Sequence, residues 1–327
     1  MGMNPPFGPA MVAAIDLGTN AFRLLIADIG PDRRLRVKHS ERAVPRLGTG
    51  IARTGRLDPG AMERSLDALR QFRSVIDRYP VDAVVAAATS AAREAGDADA
   101  FLQRIKRDVG FDVEVLSGQE EARRTWLGVL EGLNARERIV EQALVLDVGG
   151  GSTEIIRVRD GRFERALSLD LGVVKLTERY LHHDPPESSE LAELDAEVRA
   201  ILRTATTLGE GLPRPTLVGT AGTVTAVAAL HLGLTSYQPS LIHDAVVPRE
   251  ALMRIGTQLQ GMTSTQRRNL PAIGRGREDV VIAGVRILQG VLDAFGVNSV
   301  LVSEYGLREG LIIDWLHRAA DIRDAAR

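Results

Sequence analysis

Residues 144–155 read Leu-Val-Leu-Asp-Val-Gly-Gly-Gly-Ser-Thr-Glu-Ile. An apolar run ends in Asp147. Gly149, Gly150 and Gly151 follow, then Ser152 and Thr153, and Glu154 opens a second apolar run. The pattern predicts strand, tight turn, strand. Consecutive glycines admit backbone conformations closed to other residues and let N–H groups approach an anion. Such a hairpin cups a phosphate or serves as a plain Gly-rich turn; the stretch alone leaves both open. It is not a Walker loop, whose Gly-x-x-x-x-Gly-Lys-[Ser/Thr] string occurs nowhere in the chain.

A second copy lies 131 residues earlier. Residues 13–26 read Ala-Ala-Ile-Asp-Leu-Gly-Thr-Asn-Ala-Phe-Arg-Leu-Leu-Ile. With Asp16 laid on Asp147, Gly18 falls on Gly149 and Arg23 on Glu154. A strand, Asp-x-Gly, a polar turn and a returning strand therefore open each half of the chain, a pseudo-repeat. Two such hairpins resemble the two-lobed actin, sugar-kinase and Hsp70 superfamily. That resemblance implies an α/β fold of two ribonuclease-H-like lobes, with a phosphorylated ligand in the interdomain cleft.

Composition narrows the classes. The 327 residues suffice for two domains, and a hydrophobic fraction of 44% is that of a soluble globular protein. No apolar run approaches the ~20 residues of a membrane span. Met1–Pro9 has neither a basic nor a long apolar segment, so a disordered tail (1–11) on a cytoplasmic protein is expected. With no Cys, disulfides and thiolate metal sites are excluded. A net charge of −2 gives no global field for a polyanion, and aromatics at 4% are too sparse for base stacking, so no nucleic-acid partner is expected. Of 41 basic residues only Lys38, Lys106 and Lys175 are lysine. Arginine suits bidentate phosphate contacts; GC-rich coding explains the same bias.

In chain order, strands are expected at 12–17, 22–28 and 35–42. A helix starts at Asp58-Pro59, and Met62, Leu66, Leu69, Phe72 and Ile76 give it an apolar face. Strand 82–88 ends in Thr89-Ser90-Ala-Ala-Arg93, where ligands bind in α/β sheets, so Arg93 reads as a phosphate contact. After a helix at 98–109 and a strand at 112–116, Ser117 and Glu120 have capping-box spacing. That accounts for Glu120 and leaves Glu121 to the helix dipole or to chemistry. His182-His-Asp-Pro-Pro186 reads as a loop rather than a metal site. Leu191, Leu194, Val198, Ile201 and Leu208 mark one long helix. Strand 215–218 runs into Gly219-Thr-Ala-Gly222-Thr223 and a helix whose N-terminus favours an anion. A helix at 278–295, a strand at 298–303 and a closing helix at 307–320 follow.

Six pieces in order are Ile-Asp-Leu-Gly-Thr-Asn, Thr-Ser-Ala-Ala-Arg, Ser-Gly-Gln-Glu-Glu-Ala-Arg, Asp-Val-Gly-Gly-Gly-Ser-Thr-Glu, Gly-Thr-Ala-Gly-Thr and Gly-Leu-Arg-Glu-Gly. Together they resemble the exopolyphosphatase/guanosine pentaphosphate phosphatase family over residues 12–313. The resemblance implies hydrolysis of the terminal phosphate of inorganic polyphosphate, or of guanosine pentaphosphate, with Mg²⁺ or Mn²⁺. It implies Glu121 as general base and Glu154 as the second essential carboxylate. Asp16 and Asp147, with Glu154, would hold the metal. Asn20, Arg93 and Gly149–Ser152 would contact phosphate, and Gly222 and Thr223 join them through the helix N-terminus. Arg23 stands where some members have His and takes no assigned role. Lobe I is expected at 12–127 with the C-terminal helix 307–327, lobe II at 128–306, in the short two-lobed form. A kinase of the same superfamily would need an adenosine pocket that no motif marks. A non-catalytic polyphosphate or alarmone sensor would not need the pair Glu121 and Glu154. A homodimer is the base-rate expectation.

Overall fold

The structure is a computed structural model and describes residues 10–30, 32 and 34–325. In chain order the elements are β1 (Ala10–Leu17), β2 (Phe22–Ile29), β3 (Leu35–Ala43), α1 (Ile51–Thr54), α2 (Pro59–Ile76), β4 (Ala83–Ala88), α3 (Ser90–Glu94), α4 (Ala98–Val109), β5 (Val113–Val115) and α5 (Gly118–Ala135). There follow β6 (Gln142–Val148), β7 (Thr153–Arg159), β8 (Arg162–Leu169), α6 (Val173–Tyr180), α7 (Ser188–Leu202) and a 3₁₀ turn (Arg203–Leu208). The chain then forms β9 (Thr216–Thr220), α8 (Ala221–His231), α9 (Pro239–Ile242), β10 (Val246–Pro248), α10 (Arg249–Gln260), α11 (Ser264–Arg268), α12 (Val281–Phe295), β11 (Ser299–Val302) and α13 (Leu307–Ala325). Among the described residues no helix is long and apolar enough to cross a membrane.

Residues 1–9 of the expected tail lie outside the described residues, as does Arg33. Ala10 and Met11, counted with that tail, already belong to β1. They pair with Ile29 and Asp28, because β2 runs on to Ile29 and carries its partner with it. Two compact units divide the chain. One extends to Glu131 and resumes at Gly306; the other spans Gly132–Tyr305.

In the first unit the strand order is β3-β2-β1-β4-β5. The first three strands form an antiparallel meander, and β4 and β5 add on in parallel. Both sheet faces are covered, so β1 is apolar along its length rather than alternating. Ala13, Ile15 and Leu17 pack with Leu66, Leu69 and Phe72 of α2 and Ile105 of α4. Val12 and Ala14, on the other face, pack with Leu307, Leu311 and Ile312 of α13. Asp58 caps α2, its carboxylate accepting the Ala61 N–H at 2.7 Å ahead of Pro59.

In the second unit the order is β10-β11-β9-β6-β7-β8. Here β6, β7 and β8 are the antiparallel meander, and β9 and β11 are the parallel additions. The short β10 is an antiparallel edge. With the edge strand β10 set aside, the strand order 3-2-1-4-5 occurs in both units, the ribonuclease-H-like arrangement expected from the repeat. Leu144, Leu146 and Ile155 share a core with Val198 of α7, Val227 of α8 and Leu288 of α12.

The long helix expected through Leu208 is shorter: α7 ends at Leu202 and the chain tightens into the 3₁₀ turn. The hydroxyls of Thr204 and Thr206 donate to Ile201 and Arg203 carbonyls, offering the backbone an alternative to the helix. Residues 182–186 are a loop, as expected. His183 Nδ1 lies 2.9 Å from Glu190 Oε1, and the Glu187 N–H donates to Glu190 Oε2 at 2.8 Å.

Burial pushes the Glu190 carboxyl up, but the His183 ring and the N–H groups of Glu187 and His182 outweigh it and hold the pKa at about 2. The same contact with Glu190, then the charge of Glu187, raises His183 above 6.5. A lowered acid contributes stability above its unfolded pKa and loses it as the pH falls. A raised base contributes below its unfolded pKa and loses it as the pH rises. Glu190→Gln is therefore expected to lower Tm most between about pH 4.5 and 6.5. Its effect should shrink on either side of that window; a pH-independent difference between the two Tm curves would refute the ion-pair reading.

Candidate active site

The first hairpin joins β1 to β2. Asp16 and Arg23 are cross-strand partners, and Leu17 and Phe22 close the ladder. The turn carbonyls are tied off. Asn20 O accepts the Arg46 N–H at 3.0 Å and Thr19 O accepts the Gly48 N–H at 2.8 Å.

The second hairpin repeats this geometry. Asp147 and Glu154 are partners, as Asp16 and Arg23 are. A Cβ added at Gly18 would come 2.8 Å from Ala21 O; one added at Gly149 would come 2.8 Å from Ser152 O. The offset of 131 read from the sequence thus holds to the level of single atoms. The Gly149 N–H closes the turn onto Ser152 O at 2.9 Å. Gly149 O and Gly150 O accept the Val173 and Val174 N–H groups at 3.1 and 2.9 Å, from the start of α6. Among the described residues, the N–H groups of Gly150 and Gly151 meet no protein acceptor. The hairpin therefore turns its carbonyls away into α6 and keeps two donors in hand, which is how backbone binds an anion. Of the glycine donors expected for phosphate, Gly149 has its N–H committed within the turn.

Beside this turn lies an acidic rung. Asp147 on β6 faces Glu154 on β7, and Glu154 faces Ser168 on β8. Glu154 is 0% exposed and Asp147 9%. The Ser168 hydroxyl donates to Glu154 Oε1 at 2.7 Å. The sequence singled out both acids but not Ser168, whose partner depends on strand register.

In the first unit Arg93 follows β4 on α3, and Glu121 stands in the first turn of α5. The structure brings them together: Arg93 Nη1 donates to Glu121 Oε2 at 2.5 Å and to Leu116 O at 2.9 Å. Glu121 is 7% exposed. Only half of the expected capping box forms. Ser117 Oγ accepts the Glu120 N–H at 3.2 Å, but the Glu120 carboxylate turns to Arg123 and Arg124, each at 3.3 Å. Two arginines at i+3 and i+4 outbid a single neutral N–H for a carboxylate.

At the third site, Ala221 opens α8 with φ of 69°, a conformation costly for any residue with a Cβ. The Arg277 guanidinium lies on Gly222, its Nε 2.8 Å from where a Cβ would stand. Thr223 is buried against Gly284 of α12. No motif in the sequence marks Arg277. Among the described residues, no three His, Asp or Glu side chains converge as a ready-made metal cage.

The chain that carries these groups has known relatives. The model of the Ppx/GppA phosphatase family matches residues 25–319. Exopolyphosphatase 2 of Mycobacterium tuberculosis H37Rv is 36% identical over 316 residues, covering 92% of this chain and 97% of that protein. Among solved structures, the family member from Aquifex aeolicus is 30% identical with a TM-score of 0.79, over 95% of this chain and 99% of that one. An exopolyphosphatase from Cytophaga hutchinsonii is 29% identical with a TM-score of 0.86, over 94% and 98%. Two Asp-x-Gly hairpins in matching register, the paired Arg93 and Glu121, and a family match over most of the sequence lead to one assignment: the chain belongs to the Ppx/GppA phosphatase family.

Proposed function

We propose that the chain is an exopolyphosphatase, a hydrolase that removes the terminal phosphate of inorganic polyphosphate as orthophosphate. The observation that carries this reading is the Gly149–Ser152 hairpin, with donors in hand at Gly150 and Gly151 and the buried pair Asp147 and Glu154 beside it. Phosphoanhydride hydrolysis needs an in-line water and neutralisation of the transferred group, and little covalent chemistry.

In this reading Glu121 orients the water and takes its proton as the new P–O bond forms and the bridging P–O bond breaks. Arg93 holds one oxygen of Glu121 and contacts phosphate, as does Asn20. The N–H groups of Gly150 and Gly151 donate to phosphoryl oxygens, with Ser152 and the α8 turn at Gly222 as further contacts. Asp16, Asp147 and Glu154 present only carboxylate oxygen, the donor set of Mg²⁺ or Mn²⁺. Asp147 and Glu154 are two buried acids on one rung, which a cation relieves. Magnesium sites commonly draw on one or two carboxylates and the substrate's own phosphates. When bound, the ion would neutralise charge on the transferred group.

The test is orthophosphate release with Mg²⁺ from short polyphosphate, long polyphosphate and guanosine pentaphosphate, with ATP as control. Release from polyphosphate is expected. Release from guanosine pentaphosphate alone would move the chain to alarmone hydrolysis. Tight binding with no release from any substrate would make it a sensor. A cytoplasmic homodimer belongs to the same reading; light scattering should give about twice 35.4 kDa.

A further inference from the structure

We infer that Ser168 is a positioning residue for Glu154; the inference rests on the role given to Glu154 above. Three adjoining strands place Asp147, Glu154 and Ser168 in a row, with Glu154 in the middle. On one side the cross-strand partner of Glu154 is a second acid, Asp147. Ser168 on the other side holds the Glu154 carboxylate, donating its hydroxyl to Oε1 at 2.7 Å. Glu154 is fully buried, so its rotation is set by protein groups rather than by water. A hydroxyl donating to a carboxylate is a charge-assisted bond, among the stronger kinds.

Ser168 is itself held. It lies near the end of β8, and just beyond it Thr153 Oγ1 donates to Leu171 O at 2.5 Å while the Leu171 N–H turns back to Leu169 O at 2.7 Å. The segment then enters α6, whose first N–H groups grip the Gly-rich turn. One short stretch, 168–174, thus fixes both the glycine turn and the essential carboxylate. Ser168 is also solvent-exposed, so removing its hydroxyl opens no core cavity.

Ser168→Ala should lower kcat for polyphosphate about 10- to 100-fold with KM unchanged, the range for losing a hydrogen bond to a charged group. Ser168→Thr, which keeps the hydroxyl on a strand that accepts β-branched residues, should recover most of it. Calorimetric Mg²⁺ binding should weaken about tenfold in Ser168→Ala, the lower end of the effect of an outer-shell partner. Tm should fall by a few degrees in Ser168→Ala, which removes a donor from a buried carboxylate, and recover in Ser168→Thr. Equal kcat, an equal loss in Ala and Thr variants, or a loss confined to KM would overturn the inference. So would unchanged Mg²⁺ binding, which reads out even if the parent releases no phosphate. No release by the parent itself would instead overturn the exopolyphosphatase reading.

Discussion

Glu121→Gln leaves the protein folded, able to bind polyphosphate, and slower in orthophosphate release by about 10² to 10⁴. Folding is preserved because glutamine keeps the oxygen that Arg93 meets at 2.5 Å, and because the helix start is secured elsewhere, by Ser117 and the Glu120 N–H. Binding is preserved because the donors at Gly150 and Gly151 belong to a different element. Turnover is lost because an amide oxygen does not accept the proton of an attacking water at neutral pH. The loss corresponds to roughly 3–5 kcal/mol of barrier. Arg93 donates to Oε2 and so holds the side chain, and in this reading the proton of the water goes to the Glu121 carboxylate. The measurements are phosphate release, polyphosphate binding by calorimetry, and Tm. Turnover within a few-fold of the parent would remove Glu121 as the base.

The neighbouring acid is the control. Glu120 lies one position earlier on the same helix, with a side chain 42% exposed and ion-paired to Arg123 and Arg124. The pair with Arg123 is exposed on both sides and contributes little, and Arg124 keeps Glu114 and Asp314 as partners without Glu120. Glu120→Gln should keep turnover within a few-fold. Its abolition there, with Glu121→Gln active, would exchange the two roles.

The two residues show what a sequence discloses. Asp-x-Gly turns are local: strand, glycine and returning strand are contiguous, so Asp16, Asp147 and Glu154 were legible, and the offset of 131 fixed their register in advance. The end of α7 was not legible, because threonines that bend a helix do not break an apolar period. The second half of the capping box failed for a tertiary reason, since Arg124 is drawn inward by Glu114 and Asp314 and takes Glu120 with it. Ser168 and Arg277 became visible only with strand pairing and loop packing in hand. Ser168 reaches Glu154 across a ladder that contains a bulge between Arg157 and Val158, which no count of residues would have registered.

Gly310→Ala should be the most damaging small change in the first unit. Gly310 lies on α13 where that helix meets α5: an added Cβ would stand 1.7 Å from Arg124 O and 2.6 Å from Arg124 C. At the same crossing a Cβ on Gly128 would stand 1.9 Å from Gly306 O. These are backbone atoms, so no rotamer relieves the clash and the helices must part. Parting them strips a buried network. Arg124, 1% exposed, pairs with Glu114 at 2.8 Å and with Asp314 at 3.1 Å, and Asp314 also takes Arg123 at 2.6 Å and Arg318 at 2.9 Å. A buried charge separated from its partner costs about 3–5 kcal/mol, more than overpacking alone. That is a large part of the stability of an ordinary domain. Gly96→Ala is the matched control in the same unit: its Cβ would meet nothing nearer than Gly55 O at 3.7 Å, so a change within about 0.5 kcal/mol is expected. Denaturant midpoints of the two variants decide the matter. If Gly310→Ala falls within about 1 kcal/mol of Gly96→Ala, the crossing yields and the ion network does not depend on it. If it falls as expected, the helix that carries Glu121 is held in place by a contact three residues further along, and Gly310→Ala should lower the activity of whatever protein remains folded as well as its amount.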